Sequence, residues 1–221
     1  MERTTNMRLR RNPQAIELLT SHSLSVTDYA ARQGIWNKLF ANPHPIYVEL
    51  GTGKGQFLAK ASTIYPEINW IGVEKIQEPL LLAARKGEET GNTNLRYLWM
   101  DIANLQEAFS PGEVDRFYLH FSDPWPKARH YKRRLTYRDF LKAYETLLSP
   151  SGDLILKTDS ESLYQFSLEE LQETGWDIVE QSNNLHHSEW AKINITTEYE
   201  EKFTGLGMPI YYLRAIPNHI D

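Results

Sequence analysis

The sequence predicts a doubly wound α/β fold: one mostly parallel, seven-stranded sheet with helices on both faces. Three observations carry this. From residue 46 onward, apolar runs of strand length alternate with longer amphipathic segments, the pattern that builds βαβ units. Several of those runs end at an acid or at a glycine-rich turn. A chain of 221 residues without internal repeats or low-complexity tracts is long enough for a substantial core.

Residues 1–44 lack a strand pattern and read as a basic, helical peripheral arm, with 45–221 as a single domain. Asn12-Pro13 before Gln14-Ala15-Ile16-Glu17-Leu18-Leu19 predicts a short helix with proline in its first turn. Trp36, Leu39 and Phe40 lie at helical spacing within 27–40, and Asn42-Pro43-His44-Pro45 stops that segment. Strands follow over Ile46–Leu50, then 68–73 ending in Glu74, then Leu95–Trp99 reaching Asp101, then 115–121. The fifth covers 153–157 and ends at Thr158-Asp159, and 176–180 and 210–216 supply the last two. Helices are expected from Gln56, over 75–89, briefly after Asp101, over 136–148 and over 162–174. Ser110-Pro111-Gly112 and Ser149-Pro150-Ser151-Gly152 read as turns.

The composition is 41% hydrophobic, 12% aromatic and 24% charged, that of an ordinary globular protein. The absence of cysteine excludes disulfides, cysteine-ligated zinc and thiolate nucleophiles, including the C5-pyrimidine route. No apolar run approaches membrane-spanning length, and the polar start is not a secretory signal, so a cytoplasmic protein is expected. His186-His187 lacks spaced carboxylate partners and reads as a surface loop, with no metal expected.

The net charge of −5 is unevenly spread. Arg3, Arg8, Arg10 and Arg11 crowd the start. Lys127, Arg129, Lys132, Arg133, Arg134 and Arg138 crowd a later segment, and residues 161–201 are acidic. Local patches set the field a polyanion meets, so an acidic chain of this kind can still bind RNA.

Glu49-Leu50-Gly51-Thr52-Gly53-Lys54-Gly55 follows the first strand. Glycines at alternate positions let backbone turn tightly and lie against a ligand. The Walker pattern fails because Gly55 follows Lys54, and the dinucleotide pattern fails because Gln56 stands where its third glycine belongs. A tight strand-to-helix turn would explain the loop alone. The acids add to it: Glu49 precedes the loop, and Glu74, Asp101 and Asp123 close successive strands. Glu74 stands about where such folds place the acid for ribose hydroxyls. A ribose-bearing cation such as S-adenosylmethionine suits this set, whereas a nucleoside phosphate would be repelled.

These residues resemble those of class I methyltransferases of Rossmann-like fold. The run Phe121-Ser122-Asp123-Pro124-Trp125-Pro126-Lys127-Ala128-Arg129-His130-Tyr131-Lys132-Arg133-Arg134-Leu135 resembles the signature of bacterial tRNA (guanine-N7)-methyltransferases. So does Thr197-Glu198-Tyr199-Glu200-Glu201-Lys202-Phe203. The resemblance spans residues 8–211; one departure is Ala128, where the family pattern has a second lysine. It implies methyl transfer from S-adenosylmethionine to N7 of a guanine in the tRNA variable loop. Cofactor contacts are then expected from Glu49, Gly51, Gly53, Gly55, Glu74, Asp101 and Asp123, with Asp123 also the catalytic carboxylate. Substrate contacts are expected from Lys127, Asp159, Thr197, Glu198, Tyr199 and Glu200. Arg129, Lys132, Arg133 and Arg134 would meet phosphates, with His130 and Tyr131 interleaved for stacking.

Guanine N7 carries a free lone pair, so Asp123 is expected to stabilise charge and need not be a base. The loop also resembles the Asp-Pro-Pro-aromatic motif of amino-group methyltransferases, although here the aromatic precedes the second proline. An RNA amino-group methyltransferase, or a non-catalytic RNA-binding protein of this fold, stays open. Asp159 could instead cap the following helix, and 197–203 could be an ordinary amphipathic turn. A monomer or homodimer is expected.

Overall fold

The computed structural model describes residues 12–218, so Arg3, Arg8, Arg10 and Arg11 lie outside the described residues. The elements are α1 (Ala15–Thr20), α2 (Trp36–Phe40), β1 (Ile46–Leu50), α3 (Gln56–Ile64), β2 (Asn69–Glu74), α4 (Gln77–Glu89) and β3 (Leu95–Trp99). They continue with β4 (Val114–His120), α5 (Arg138–Leu147), β5 (Leu148–Thr158), α6 (Glu161–Glu173), β6 (Trp176–Ser182), α7 (Glu198–Gly205) and β7 (Tyr211–Pro217). Short 3-10 turns fill several connections.

The seven strands form one sheet in the order β3-β2-β1-β4-β5-β7-β6. Pairings from β3 to β5 are parallel, while β7 inserts antiparallel between β5 and β6. From β1 the chain winds outward to β3, then returns to β4 and winds the other way. The order therefore reverses between β1 and β4, where a crevice opens beyond the strand carboxyl ends.

Alternate strand residues feed two cores, as a period of two requires. Val48, Leu50, Ile71, Val73, Phe117 and Leu119 pack with Leu141, Tyr144 and Leu147 of α5 on one face. Trp70 and Tyr97 pack with Phe57 and Leu58 of α3, Leu80 of α4 and Leu19 of α1 on the other. Each such buried side chain contributes about 1.5–3 kcal/mol.

Several elements differ from the sequence reading. Pro13 sits before the N-cap Gln14 and not inside α1. The segment 27–40 is two pieces, a 3-10 turn over Tyr29–Arg32 and α2, separated by Gly34 at φ +76°. Far from staying peripheral, residues 12–44 send Leu19 and Leu24 into one core and Val26, Trp36 and Phe40 into the other. The Trp36 ring nitrogen donates to the Ala108 carbonyl at 2.8 Å. Residues 149–152 do not form the expected turn. Leu148 leaves the helix at φ −70°, ψ 140° and pairs with Val114, so β5 starts there. Among the described residues no helix is long and apolar enough to cross a membrane.

Candidate functional site

The loop after β1 takes its shape from three left-handed residues: Gly51 (φ +80°), Gly53 (+54°) and Gly55 (+74°). The amides of Gly51 and Thr52 both donate to the Val73 carbonyl, pinning the turn to β2. A Cβ at Gly51 or Gly53 would meet nothing within 4 Å, so these two face open space that a ligand can use. Gly55 answers to a different demand: its Cβ would lie 2.6 Å from that of Ala83. It is buried and does not border the cavity; it lets α3 start against α4. Gly55 thus has a packing reason to be glycine, independent of any cofactor contact.

Strand register aligns the acids along one edge. Leu50 pairs with Val73 and with Leu119, and Glu74 with Trp99. The Glu74 carboxylate accepts from the amides of Gly53 (3.3 Å) and Ile76 (2.9 Å). Asp101 caps the following 3-10 turn through the Ala103 amide, and Lys75 stands 3.9 Å from it. Glu49 is nearly sealed from solvent. Thr52 donates its hydroxyl to one oxygen at 2.6 Å, and His120 Nδ1 lies 2.9 Å from the other. Burial pushes the Glu49 carboxyl up to about 8, against the opposing pull of Thr52 and of the Lys157 charge. Burial, and then Lys157, hold His120 well below the usual imidazole range. Burial thus disfavours the charged form of both groups, which face each other at 2.9 Å.

A cavity of 770 Å³ brings together Glu49, Gly51, Gly53, Glu74, Asp101 and Asp123 with Thr197, Glu198 and Tyr199, and Lys132 and Arg133 also border it. This is ample for a nucleoside-sized ligand with a reacting base beside it. Asp123 is exposed on the loop after β4. That loop contains two bulky left-handed residues, Phe121 (φ +51°) and Trp125 (φ +43°). Such strain persists only where surrounding contacts impose it. Phe121 donates its amide to the Lys157 carbonyl and stacks on Tyr199 at 6.1 Å and Phe203 at 6.0 Å.

The remaining expected residues divide. Thr197 is the buried N-cap of α7, closing a capping box with Glu200. Glu198 reaches Lys86 at 3.1 Å and Lys54 at 3.8 Å. Glu200 is wholly buried on the Lys157 ammonium at 2.8 Å, with Asn194 and His186 alongside. It fixes the neighbouring wall through these contacts. Ser160, not Asp159, caps α6, so Asp159 is released from that duty. Lys127 and Asp159 lie outside the cavity lining. In the 3-10 turn Ala128–Arg133, His130 packs edge-on against Trp125, and Tyr131 packs against Tyr137. Arg129, Lys132 and Arg133 are exposed, and Arg133 lies over Trp125 at 4.9 Å. Arg134 is turned inward onto the Pro124 and Trp125 carbonyls. His186-His187 forms no metal cluster among the described residues.

The sequence reading missed His120, Thr52 and Lys157. A usable signal existed for the last. Lysine ending the buried run Leu154-Ile155-Leu156 requires a buried partner, and register sets it opposite His120.

A glycine loop and a row of acids around one cavity at the topological switch define a ligand-binding protein of the doubly wound class. Solved structures share the fold. The 16S rRNA methyltransferase KamB matches with TM-score 0.61 at 13% identity, covering 83% of this chain and 93% of that one. A mutant 16S rRNA (adenine(1408)-N(1))-methyltransferase from Catenulisporales acidiphilia, solved with cosubstrate SAM, matches with TM-score 0.58 at 16% identity, covering 82% and 89%. The family described as "Putative methyltransferase" matches residues 43–213. The tRNA (guanine-N(7)-)-methyltransferase of Lachnoclostridium phytofermentans is 44% identical over 95% of this chain and 98% of its own. That of Bacillus subtilis is 43% identical over 93% and 96%. The chain belongs to the tRNA (guanine-N7)-methyltransferase family.

Proposed function

We propose that the protein transfers a methyl group from S-adenosylmethionine to N7 of a guanine in tRNA, acting in the cytoplasm. One observation carries this reading: a single cavity joins the acids closing β1 to β3 with the Asp123 loop and its exposed cations. Glu74 offers acceptors for ribose hydroxyls and Asp101 a further acceptor beside it, while Gly51 and Gly53 leave room against the backbone. Glu49 and Asp123 supply negative charge for the cationic end of the cofactor. When bound, S-adenosylmethionine supplies a methyl group made electrophilic by its sulfonium.

The chain then has two tasks, to orient the base and to offset charge. Neutral guanine N7 needs no proton removed. The methylated base is cationic, so the Asp123 carboxylate beside it favours the charge that develops. Guanine presents N–H donors at N1 and the exocyclic amine, which carboxylates accept; Glu198, which borders the cavity, is the carboxylate we assign to this role, with Asp159 outside its lining. Tyr199, 56% exposed on the Phe121 ring, offers a flat face to a base. Lys127, Arg129, Lys132 and Arg133 form the cationic approach for phosphates.

The test is radiolabelled methyl transfer to unmodified tRNA followed by nucleoside analysis. Label is expected in 7-methylguanosine, and none when 7-deazaguanine replaces the target guanine. Transfer to the deaza tRNA would move the reaction off N7. Asp123→Ala should slow turnover by about 10²–10³, far more than it weakens cofactor affinity.

A further inference from the structure

We infer that Arg134 is a positioning residue, a bidentate clamp that holds the reaction loop in its strained shape and does not bind phosphate. The inference rests on the methyl-transfer reading above for its kinetic consequence only. Its Nε donates to the Pro124 carbonyl at 3.0 Å and its Nη2 to the Trp125 carbonyl at 3.3 Å. No other hydrogen bond among the described residues reaches either carbonyl. Prolines at 124 and 126 bring no amide hydrogens, which leaves the loop fewer donors of its own, and the two carbonyls take theirs from Arg134.

What the clamp holds is costly to hold. Trp125 lies at φ +43°, a conformation that bulky L-residues avoid. Carbonyls on both sides of that strained φ are tied to one planar cation. The guanidinium in turn rests 4.3 Å from the Phe166 ring of α6, and the Arg134 amide donates to the Tyr131 carbonyl. The loop carrying Asp123 is thereby fastened to a helix that belongs to the core. Arg133 makes the contrast. It is exposed, borders the cavity and packs on the outer side of Trp125, free to meet an anion.

A planar fork and a flexible ammonium differ in what they can replace. Lysine preserves a charge for a phosphate but cannot donate two fixed bonds to two carbonyls. Arg134→Lys is therefore the deciding variant, with Arg134→Ala and Arg133→Ala beside it. Hydrogen exchange at the amides of Asp123, Trp125 and Lys127 reads the clamp without any turnover. Exchange is expected to quicken in both Arg134 variants and to stay at the parent rate in Arg133→Ala. Kinetically, Arg134→Lys should lower kcat by about a hundredfold, as loss of loop alignment does, with KM for tRNA and calorimetric S-adenosylmethionine affinity close to the parent. Guanidinium ion should restore part of the turnover of Arg134→Ala. On salt titration, Arg133→Ala should reduce the slope of tRNA binding by about 1, and Arg134→Ala should leave it unchanged.

Arg134→Lys with parental turnover and parental exchange would overturn the clamp, as would a slope reduced in Arg134→Ala as much as in Arg133→Ala. Should Arg134→Ala fail to fold, the lysine variant decides by itself. A parent enzyme that methylates no tRNA would strike the functional reading, and the exchange rates would still decide the clamp.

Discussion

The loops after β1 and β4 occupy equivalent places, at the carboxyl ends of adjacent parallel strands, and both need left-handed backbone. They obtain it differently. The first uses Gly51, Gly53 and Gly55, for which positive φ costs no side-chain clash. The second places Phe121 and Trp125 there and relies on contacts from elsewhere: Tyr199 and Phe203 against Phe121, and Arg134 on the Pro124 and Trp125 carbonyls. A loop built from glycine is shaped locally, and a loop built from aromatics is shaped by the rest of the molecule. The first can wait for a ligand, whereas the second presents its carboxylate and ring only while distant supports are in place.

The largest effect is expected where those supports are buried. Lys157 carries the Phe121 amide on its carbonyl and, through its ammonium, binds Glu200, Asn194 and the Ile195 carbonyl. Lys157→Met leaves the Glu200 carboxylate buried without its cation, which should cost about 3–5 kcal/mol in denaturant unfolding. Adding Glu200→Gln should recover part of that loss; a neutral single variant would show that the second loop needs no such support.

A smaller loss is expected in the first loop, by a local cause. In Gly55→Ala the new Cβ crowds Ala83 and keeps a positive φ. Strained backbone costs about 1–2 kcal/mol, and overpacking adds about 1–3 kcal/mol. Unfolding should register about 2–5 kcal/mol in all, with the exchange rates of 123–127 unmoved. A change there would couple the loops and end the contrast.

The smallest effect concerns protons. The Glu49 carboxyl sits at about 8, raised above its ordinary 4.5 by burial. A raised carboxyl stabilises the fold while protonated, a contribution complete below its unfolded value and lost as pH rises through 8. A cationic cofactor selects the ionised form. Its binding should release a proton below that pH, and affinity should rise up to about tenfold per pH unit, about 1.4 kcal/mol, until the carboxyl is ionised. Calorimetry in two buffers of different ionisation enthalpy measures the release. Glu49→Gln should abolish it, and a pH-independent affinity in the parent would remove Glu49 from the cofactor site.

Much of the fold was legible because its signals are local. Alternating strand and helix periods located every strand, and the acids at 74, 101 and 123 marked the strand ends around the cavity. Local signals misled where the neighbour that decides is distant. Ser149-Pro150-Ser151-Gly152 has turn chemistry, yet pairing with β4 draws Leu148 into β5. Nothing near Arg134 in sequence separates a clamp from a phosphate ligand, since the charge is the same and only its orientation differs.

From the sequence alone follow the doubly wound class, the glycine turn and the acids bordering the cavity, because each depends on residues a few positions apart. The tertiary structure alone decides that β7 inserts antiparallel, that Gly55 serves packing, that Glu200 is sealed on Lys157 and that His120 meets Glu49. Those partners stand 43 and 71 residues apart in the last two cases. Burial and hydrogen-bond satisfaction depend on which strands become neighbours, and a chain read in order does not contain that information locally.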